Sequence, residues 1–195
     1  MYLIFDTETN GLPKNYKASM FEVDNWPRVI QLGWILLSSD MKTVSENKYF
    51  IKPDGWTVPT EPFWVDKGYS TERCDKEGKP MSVVLKMLID DINKSKYMVA
   101  HNISFDHNVL GAEMIRYGAR ATTKTAKICT MDIGTDYCKI PGNYGKFKWP
   151  KLEELYRHLF DKDFIGAHDA LSDCRATAEC FIEFCRLRQI IFEAK

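Results

Sequence analysis

The chain opens with Tyr2-Leu3-Ile4-Phe5-Asp6-Thr7-Glu8-Thr9-Asn10-Gly11, an apolar run that ends in two carboxylates and a turn. Side chains two residues apart on a strand point to the same face, so Asp6 and Glu8 are expected side by side at the end of a first strand. Two like charges held this close must share a proton or hold a cation. Hard cations such as Mg²⁺ and Mn²⁺ prefer carboxylate oxygens, so the stretch indicates a metal site, with a solvated strand end as the simpler alternative.

The composition indicates one globular domain over residues 1–195. A chain of 195 residues, 45% of them hydrophobic, fits a single domain with an ordinary core. The formal net charge is zero, which argues against a protein that coats long nucleic acid by charge alone. Residues 116–151 nevertheless hold eight basic and two acidic side chains. This local basic segment is typical of a surface that binds a polyanion at one place. The alternative is a solvated loop without a ligand.

The sequence carries no pattern typical of a membrane or secreted protein. No apolar run approaches the roughly 20 residues needed to cross a bilayer. Asp6 interrupts the N-terminal apolar run, which is therefore not read as a signal peptide. The six cysteines form no Cys-x-x-Cys pair and are interpreted as reduced thiols. We therefore expect a cytoplasmic protein without a zinc site.

Hydrophobic periodicity and turn residues predict an α/β fold. We expect three antiparallel strands followed by βα elements, which together give a mixed β-sheet flanked by helices. After the first strand, the predicted strands cover residues 28–37, 48–52, 97–101 and 127–131. The predicted helices cover residues 80–93, 105–117, 151–160 and 169–192. Residues 55–80 are expected to form a surface loop with short helices.

Two further carboxylates and a histidine lie near predicted helix starts. Asp106 stands where a buried strand passes into a helix, and Asp173 opens the last helix. His168 precedes Asp173 by five residues and so belongs to the loop before that helix. Taken singly, capping explains a carboxylate in a first helical turn, because the helix dipole favours negative charge there. A lone histidine is more often a surface or core residue than a functional one.

Together, these residues form three motifs that resemble those of the DEDDh 3′–5′ exonucleases, the family of the proofreading subunit of bacterial DNA polymerase III. The motifs are Asp6-Thr7-Glu8, His101-Asn102-Ile103-Ser104-Phe105-Asp106 and His168-Asp169-Ala170-Leu171-Ser172-Asp173. Residues 29–33 resemble the family's second strand, and residues 151–155 resemble the helix before the third motif. The resemblance covers residues 1–185 and implies an RNase H-like fold.

The resemblance also implies a metal-dependent enzyme that shortens nucleic acid from the 3′ end and releases nucleoside 5′-monophosphates. Asp6, Glu8 and Asp173 would hold one Mg²⁺ or Mn²⁺ ion. Asp6 would bridge to a second ion, on which Asp106 would act partly through water. Two cations about 4 Å apart activate water and stabilise the leaving oxygen. His168 would be the general base, since a pKa near ~6.5 leaves it neutral at working pH; neighbouring carboxylates would raise that pKa, and bound metals would lower it again.

A terminal nucleotide is expected to bind beside the carboxylates. The substrate-binding residues implied by the resemblance are Thr7, Thr9, Asn10, Leu12, Asn102 and Phe105. For Leu12 and Phe105, core packing is the alternative. Residues 139–150 combine cations with aromatic rings, which suits guidance of a single strand, or else an ordered surface loop. Residues 61–68 depart from the family, in which many relatives carry a more regular helix with a histidine, so the substrate preference is not inferred.

The expected partner is a nucleic acid with a free, single-stranded 3′ end. No association with a membrane is expected. The sequence does not distinguish a DNA substrate from an RNA substrate. It is also compatible with three roles: a DNA polymerase's proofreading subunit, a repair enzyme and an RNA-maturation nuclease. The chain ends soon after the last predicted helix, which favours a stand-alone enzyme. A catalytically silent nucleic-acid-binding module would lack one of the metal ligands. A purely structural domain would show no change of melting temperature with Mg²⁺ or Mn²⁺.

Overall fold

The computed structural model describes residues 1–188 and residue 190, in which five strands form one mixed sheet. The strands are β1 (Tyr2–Thr9), β2 (Val29–Leu37), β3 (Thr43–Phe50), β4 (Tyr97–Ala100) and β5 (Ala126–Cys129). Their order across the sheet is β3-β2-β1-β4-β5. The pairs β1–β2 and β2–β3 are antiparallel, whereas β1–β4 and β4–β5 are parallel. The predicted α/β class, a three-stranded meander followed by βα elements, is confirmed.

Helices cover both faces of this sheet. They are α1 (Pro62–Val65), α2 (Thr71–Glu77), α3 (Met81–Lys94), α4 (Ile103–Arg116), α5 (Thr130–Cys138), α6 (Leu152–Phe160) and α7 (Ala170–Arg186). The largest apolar cluster joins one sheet face to α3 and α4, and a second cluster joins the other face to α7. A third cluster packs α6 against α7. The sheet is therefore the middle layer of the fold.

The alternation of side chains along β1 assigns its residues to the two helical layers. Leu3 and Phe5 belong to the cluster of α3 and α4, whereas Tyr2 and Ile4 belong to the cluster of α7. Because successive strand residues point to opposite faces, the even-numbered carboxylates that follow lie on the side of α7. The intervening Thr7 lies on the side of α4.

Two elements differ from the sequence-based expectation. The third strand begins at Thr43 instead of Lys48, because it is an edge strand in which no side chain is buried, and so it lacks a hydrophobic pattern. Helix α5 was not predicted, and the strand expected over residues 127–131 ends at Cys129. Several α5 residues are weak helix formers, so tertiary packing stabilises it. Gly134 of α5 lies directly against Leu155 of α6.

The remaining helices follow the prediction closely. α4 begins at Ile103, two residues before the expected start. α7 ends at Arg186 within the described part of the chain, and the predicted end near residue 192 lies outside it. Residues 55–80 form a loop with the two short helices α1 and α2, as expected. Among the residues that the structure describes, no helix has the length and apolar character needed to span a membrane. The cytoplasmic location stays a prediction.

Gly33 allows the last helix to begin directly on the sheet. It lies opposite Asp6 in the β1–β2 register. A Cβ atom at Gly33 would lie 2.6 Å from the carbonyl carbon of Ala170, the first residue of α7. Any larger side chain would therefore push the start of α7 away from the end of β1.

Replacement of Gly33 by alanine should lower the free energy of unfolding by about 1–3 kcal/mol, because the added methyl group overlaps helix backbone that cannot move freely. The measurement is denaturant unfolding of Gly33→Ala. Gly11→Ala is the control, since a Cβ at Gly11 meets no atom within 4 Å. Equal stability of both variants and the native protein would contradict this account of how α7 is seated.

Candidate active site

The carboxyl end of β1 presents Asp6 and Glu8 toward the beginning of α7. Both side chains are partly exposed, whereas the residues before them on the strand are buried. A cavity of about 250 Å³ opens here, and Asp6, Asp173, His168 and His101 are among the residues that line it. The structure thus brings the first and third sequence motifs to one cavity at the edge of the sheet.

Asp106 reaches this end of β1 from the opposite face, through Thr7. Its side chain is only 4% exposed. One carboxylate oxygen, Oδ1, accepts hydrogen bonds from the Thr7 backbone N–H at 3.0 Å and from the Thr7 hydroxyl at 2.7 Å. Asp106 lies in the first turn of α4, where the helix dipole also favours its negative charge. The backbone N–H and the hydroxyl of Thr7 thus both hold Asp106, and the contact of Thr7 with a nucleotide stays a prediction.

Asp173 lies in the first turn of α7 and faces the loop before it. Its Oδ2 atom accepts a hydrogen bond from the His168 backbone N–H at 2.9 Å. The N-cap of α7 is Asp169, whose side chain accepts from the backbone N–H of Ser172. Asp169 also pairs with Lys48 of β3 at 2.8 Å. Since Asp169 fills the capping position, the carboxylate of Asp173 is left to the cavity.

His168 is held by its backbone while its ring stays accessible. The residue has φ 67°, in the left-handed region, and its carbonyl oxygen accepts a hydrogen bond from the Tyr69 hydroxyl at 2.8 Å. Gln31 fixes the next turn of chain, because its Oε1 atom accepts from the Ala170 N–H at 2.8 Å. The ring of Phe63 stands edge-on to the His168 ring, with centroids 6.0 Å apart. No local sequence pattern predicts that Tyr69, Gln31 and Phe63 lie at this site.

Burial, and to a lesser extent their mutual repulsion, disfavours the ionisation of the four carboxylates. Burial, followed by the charges of Asp106 and Asp173, raises the pKa of Asp6 well above its ordinary value. Burial likewise raises the pKa of Glu8 to about 7, against an opposing effect of the Lys67 ammonium. The pKa values of Asp106 and Asp173 are raised to about 7, again mainly by burial. At neutral pH the cluster therefore needs positive charge if all four groups are to be ionised.

The pKa of His168 is lowered even without a metal ion. Partial burial of the ring, followed by the nearby Lys67 ammonium, lowers this pKa. The charge of Glu153 raises it but is outweighed. The imidazole is therefore neutral at neutral pH and has a nitrogen free to accept a proton.

The donor atoms fit a hard divalent cation. Glu8, His168 and Asp173 each offer one ligand atom, and these atoms lie within 4.8 Å of one another. Asp6 lies in the same cavity, and its pKa responds to the charges of the other carboxylates. Carboxylate oxygens are the ligands that Mg²⁺ and Mn²⁺ prefer. The site thus combines suitable ligands with an unbalanced negative charge.

The other nucleotide contacts implied by the resemblance divide into two groups. Thr9 and Asn10 have partners within the loop region, since the Thr9 hydroxyl donates to the Gly11 carbonyl and Asn10 Oδ1 accepts from the Arg28 N–H. Leu12 is 73% exposed and thus is not a core residue. Asn102 and Phe105 line a second cavity of about 440 Å³, together with the exposed Trp149.

His101 lines the first cavity and is held by two hydrogen-bonding contacts. Its Nε2 atom lies 3.0 Å from the Pro150 carbonyl oxygen, and Nδ1 lies 3.1 Å from the Thr130 hydroxyl. Burial lowers the pKa of His101 to about 4. The first residue of the second motif therefore anchors the end of the 139–150 loop as a neutral ring.

The fold and the site define a class of protein. A mixed sheet with this strand order and a four-carboxylate edge is an RNase H-like fold with the site of a nuclease that acts on nucleic acids. The model of the RNase T exonuclease family matches residues 3–181. The chain belongs to this exonuclease family, and its three motifs place it in the DEDDh branch of the 3′–5′ exonucleases.

The similar proteins are longer than this chain. A PolC-type DNA polymerase III of Caldanaerobacter subterraneus is 24% identical over 182 residues, which are 93% of this chain and 11% of the polymerase. Escherichia coli exonuclease I in complex with a dT13 oligonucleotide has a TM-score of 0.73 at 16% identity, covering 96% of this chain and 41% of that one. A zinc-bound exonuclease I–ssDNA complex from the same organism has a TM-score of 0.73 at 19% identity, over 96% and 41%.

The metal-free protein should lose stability as the pH rises from about 4 to about 7. Groups whose folded pKa is raised bind more protons in the folded than in the unfolded state, so their stabilisation is present below pH 4 and is lost through pH 7. Each contributes up to about 1.4 kcal/mol per pH unit. The measurement is unfolding with a chelator and then with millimolar Mg²⁺, which should flatten the dependence.

Asp173→Asn should reduce this pH dependence, because it removes one charge and keeps an acceptor for the His168 N–H. Asp75→Asn, on the exposed side of α2, is the control and should behave as the native protein does. The same slope with chelator and with Mg²⁺ would show that the carboxylates do not bind the ion.

Proposed function

We propose that this chain is a metal-dependent 3′–5′ exonuclease that hydrolyses phosphodiester bonds at a 3′ end and releases nucleoside 5′-monophosphates. The observation that carries the proposal is the meeting of four carboxylates from three distant motifs at one end of the sheet, beside a neutral histidine. We further propose that residues 1–195 form a single exonuclease domain. All four carboxylates are retained, which disfavours a catalytically silent module.

The carboxylates would hold two Mg²⁺ or Mn²⁺ ions. Asp6, Glu8 and Asp173 would bind one ion, with Asp6 shared by the second and Asp106 acting on that second ion. A phosphodiester repels an attacking hydroxide, and the bound ions would activate water and stabilise the leaving 3′-oxygen. The raised pKa values of the carboxylates support this assignment, because a divalent cation is what allows all of them to be ionised together.

His168 would act as the general base toward the attacking water. Its lowered pKa keeps the imidazole neutral, and the Tyr69–carbonyl hydrogen bond fixes the backbone from which the ring projects. The ring also lies close enough to Glu8 and Asp173 to be a metal ligand instead. The two roles can be distinguished by ion binding in the absence of substrate. A metal ligand is required for that binding, whereas a general base is not.

Single-stranded DNA is the first substrate to test. The E. coli exonuclease I structures are complexes with single-stranded DNA, which supports this choice. In the present chain, Tyr144 is 99% exposed and Trp149 is 69% exposed within the basic loop 139–150. Exposed rings interleaved with cations suit a strand that stacks its bases. The PolC-type relative supports proofreading beside a DNA polymerase as one role, with repair and RNA maturation as the others.

The direct test is digestion of a 5′-labelled oligonucleotide, in matched DNA and RNA forms, with Mn²⁺ and with a chelator. We expect a metal-dependent ladder that shortens from the 3′ end and is abolished in Asp6→Ala. The preferred sugar is read from the relative rates. If a folded, metal-binding protein cleaves neither strand, the proposal fails and the silent-module hypothesis replaces it.

His168→Ala should reduce turnover by about 10²-fold or more, because proton transfer by a positioned base contributes that much. The variant should still bind metal, which is measured as the rise in melting temperature that Mn²⁺ causes. Retained native turnover would refute the general-base role. Loss of the Mn²⁺ response would assign His168 to the metal ligands.

A further inference from the structure

Lys67 carries a buried ammonium group that none of the site's expected roles explains. It lies in the loop that connects α1 to α2. Its Nζ atom is shielded from solvent and has no hydrogen-bond partner among the residues that the structure describes. The nitrogen lies 3.3 Å from the centroid of the Phe63 ring, on its face. Three N–H donors are thus held in place without an acceptor.

The surroundings of Lys67 belong to the carboxylate site. The charge of Lys67 lowers the pKa of Glu8 and of His168, and Lys67 itself responds to the charge of Asp173. The Phe63 ring below the ammonium is the one that stands edge-on to His168. The ring contact with Phe63, together with the charge interaction with Glu8, therefore places Lys67 beside His168 and the carboxylates.

The backbone around Lys67 is tied to both ends of the site. The indole N–H of Trp64 donates to the Thr9 carbonyl at the end of β1, at 2.9 Å. Tyr69, two residues after Lys67, donates to the carbonyl of His168. A loop fixed on both sides in this way holds its charged group in a defined place, which is how a binding residue is preorganised.

A buried ammonium without an acceptor is unfavourable, and a contact with an aromatic face offsets only part of that cost. Glu8, Asp173 and Glu153 are the negative charges that act on Lys67, but bound metal ions would take up the charge of the first two. The acceptor that the reaction itself brings to the cavity is the phosphate of the substrate. Its non-bridging oxygens form short, charge-assisted hydrogen bonds with lysine.

We propose that Lys67 is a phosphate-binding residue of this site, whose ammonium donates to a non-bridging oxygen of the scissile phosphate. The inference rests on the proposed exonuclease function and adds a residue to it. The alternative is that Lys67 only neutralises the carboxylates until metal ions bind. In that case its removal would strengthen Mn²⁺ binding and leave phosphate recognition unchanged.

The test compares the native protein with Lys67→Met, Lys67→Arg and the control Lys76→Met on the exposed side of α2. Thymidine 5′-monophosphate and thymidine are titrated in Mg²⁺, with binding followed by ligand NMR. Lys67→Met should lower the affinity for the monophosphate about tenfold or more, which is the loss typical of one charge-assisted hydrogen bond. The affinity for thymidine should be unchanged. Lys67→Arg should recover part of the affinity, and Lys76→Met should match the native protein.

Equal binding of the monophosphate by Lys67→Met and the native protein would overturn the proposal. Equal weakening of monophosphate and thymidine would also overturn it, because the loop would then shape the pocket without contacting phosphate. These results are separable from the proposed function. The native protein could fail to shorten oligonucleotides while its binding of the monophosphate still depends on Lys67. In that case the proposed function would be wrong, and the phosphate-binding role of Lys67 would stand.

Discussion

The alternation of side chains at the end of β1 is the constraint on which the site depends. It sends Asp6 and Glu8 to the face covered by α7 and sends Thr7 to the face covered by α4. Thr7 then holds Asp106 with two hydrogen bonds, so a carboxylate from the other helical layer is brought to the same strand end. Gly33, opposite Asp6, lets α7 start close enough to complete the cluster. A one-residue slip of β1 would turn Asp6 and Glu8 together toward the α4 layer, away from Asp173 and His168.

The same convergence explains the electrostatics of the site. Groups that are buried and close together raise each other's pKa, so the metal-free fold carries ionisable groups in an unfavourable setting. Such strain is typical of functional sites and is relieved when a ligand supplies the opposite charge. The His168 loop is held by two hydrogen bonds, one that Tyr69 donates to the His168 carbonyl and one that Gln31 accepts from the Ala170 N–H. The scaffold is therefore rigid where the chemistry needs position.

Much of this architecture could be predicted from the sequence. Strands β1 and β2 are apolar, and the three motifs occur along the chain in the order that the exonuclease family has. Strand β3 was harder, since an edge strand exposes its side chains, and α5 depends on packing against α6. The partner of Asp106 is a long-range contact that no local pattern specifies. Lys67 lies in a segment whose sequence departs from the family, so only its placement over Phe63 reveals it.

The central claim is that Asp6, Glu8, Asp106 and Asp173 form one site for two divalent ions. The most direct measurement is a crystal structure of the protein with Mn²⁺ and thymidine 5′-monophosphate, recorded at the manganese absorption edge. The account predicts two anomalous peaks in the cavity beside the end of β1, both in contact with these carboxylates. A single peak, or peaks bound elsewhere on the protein, would contradict it.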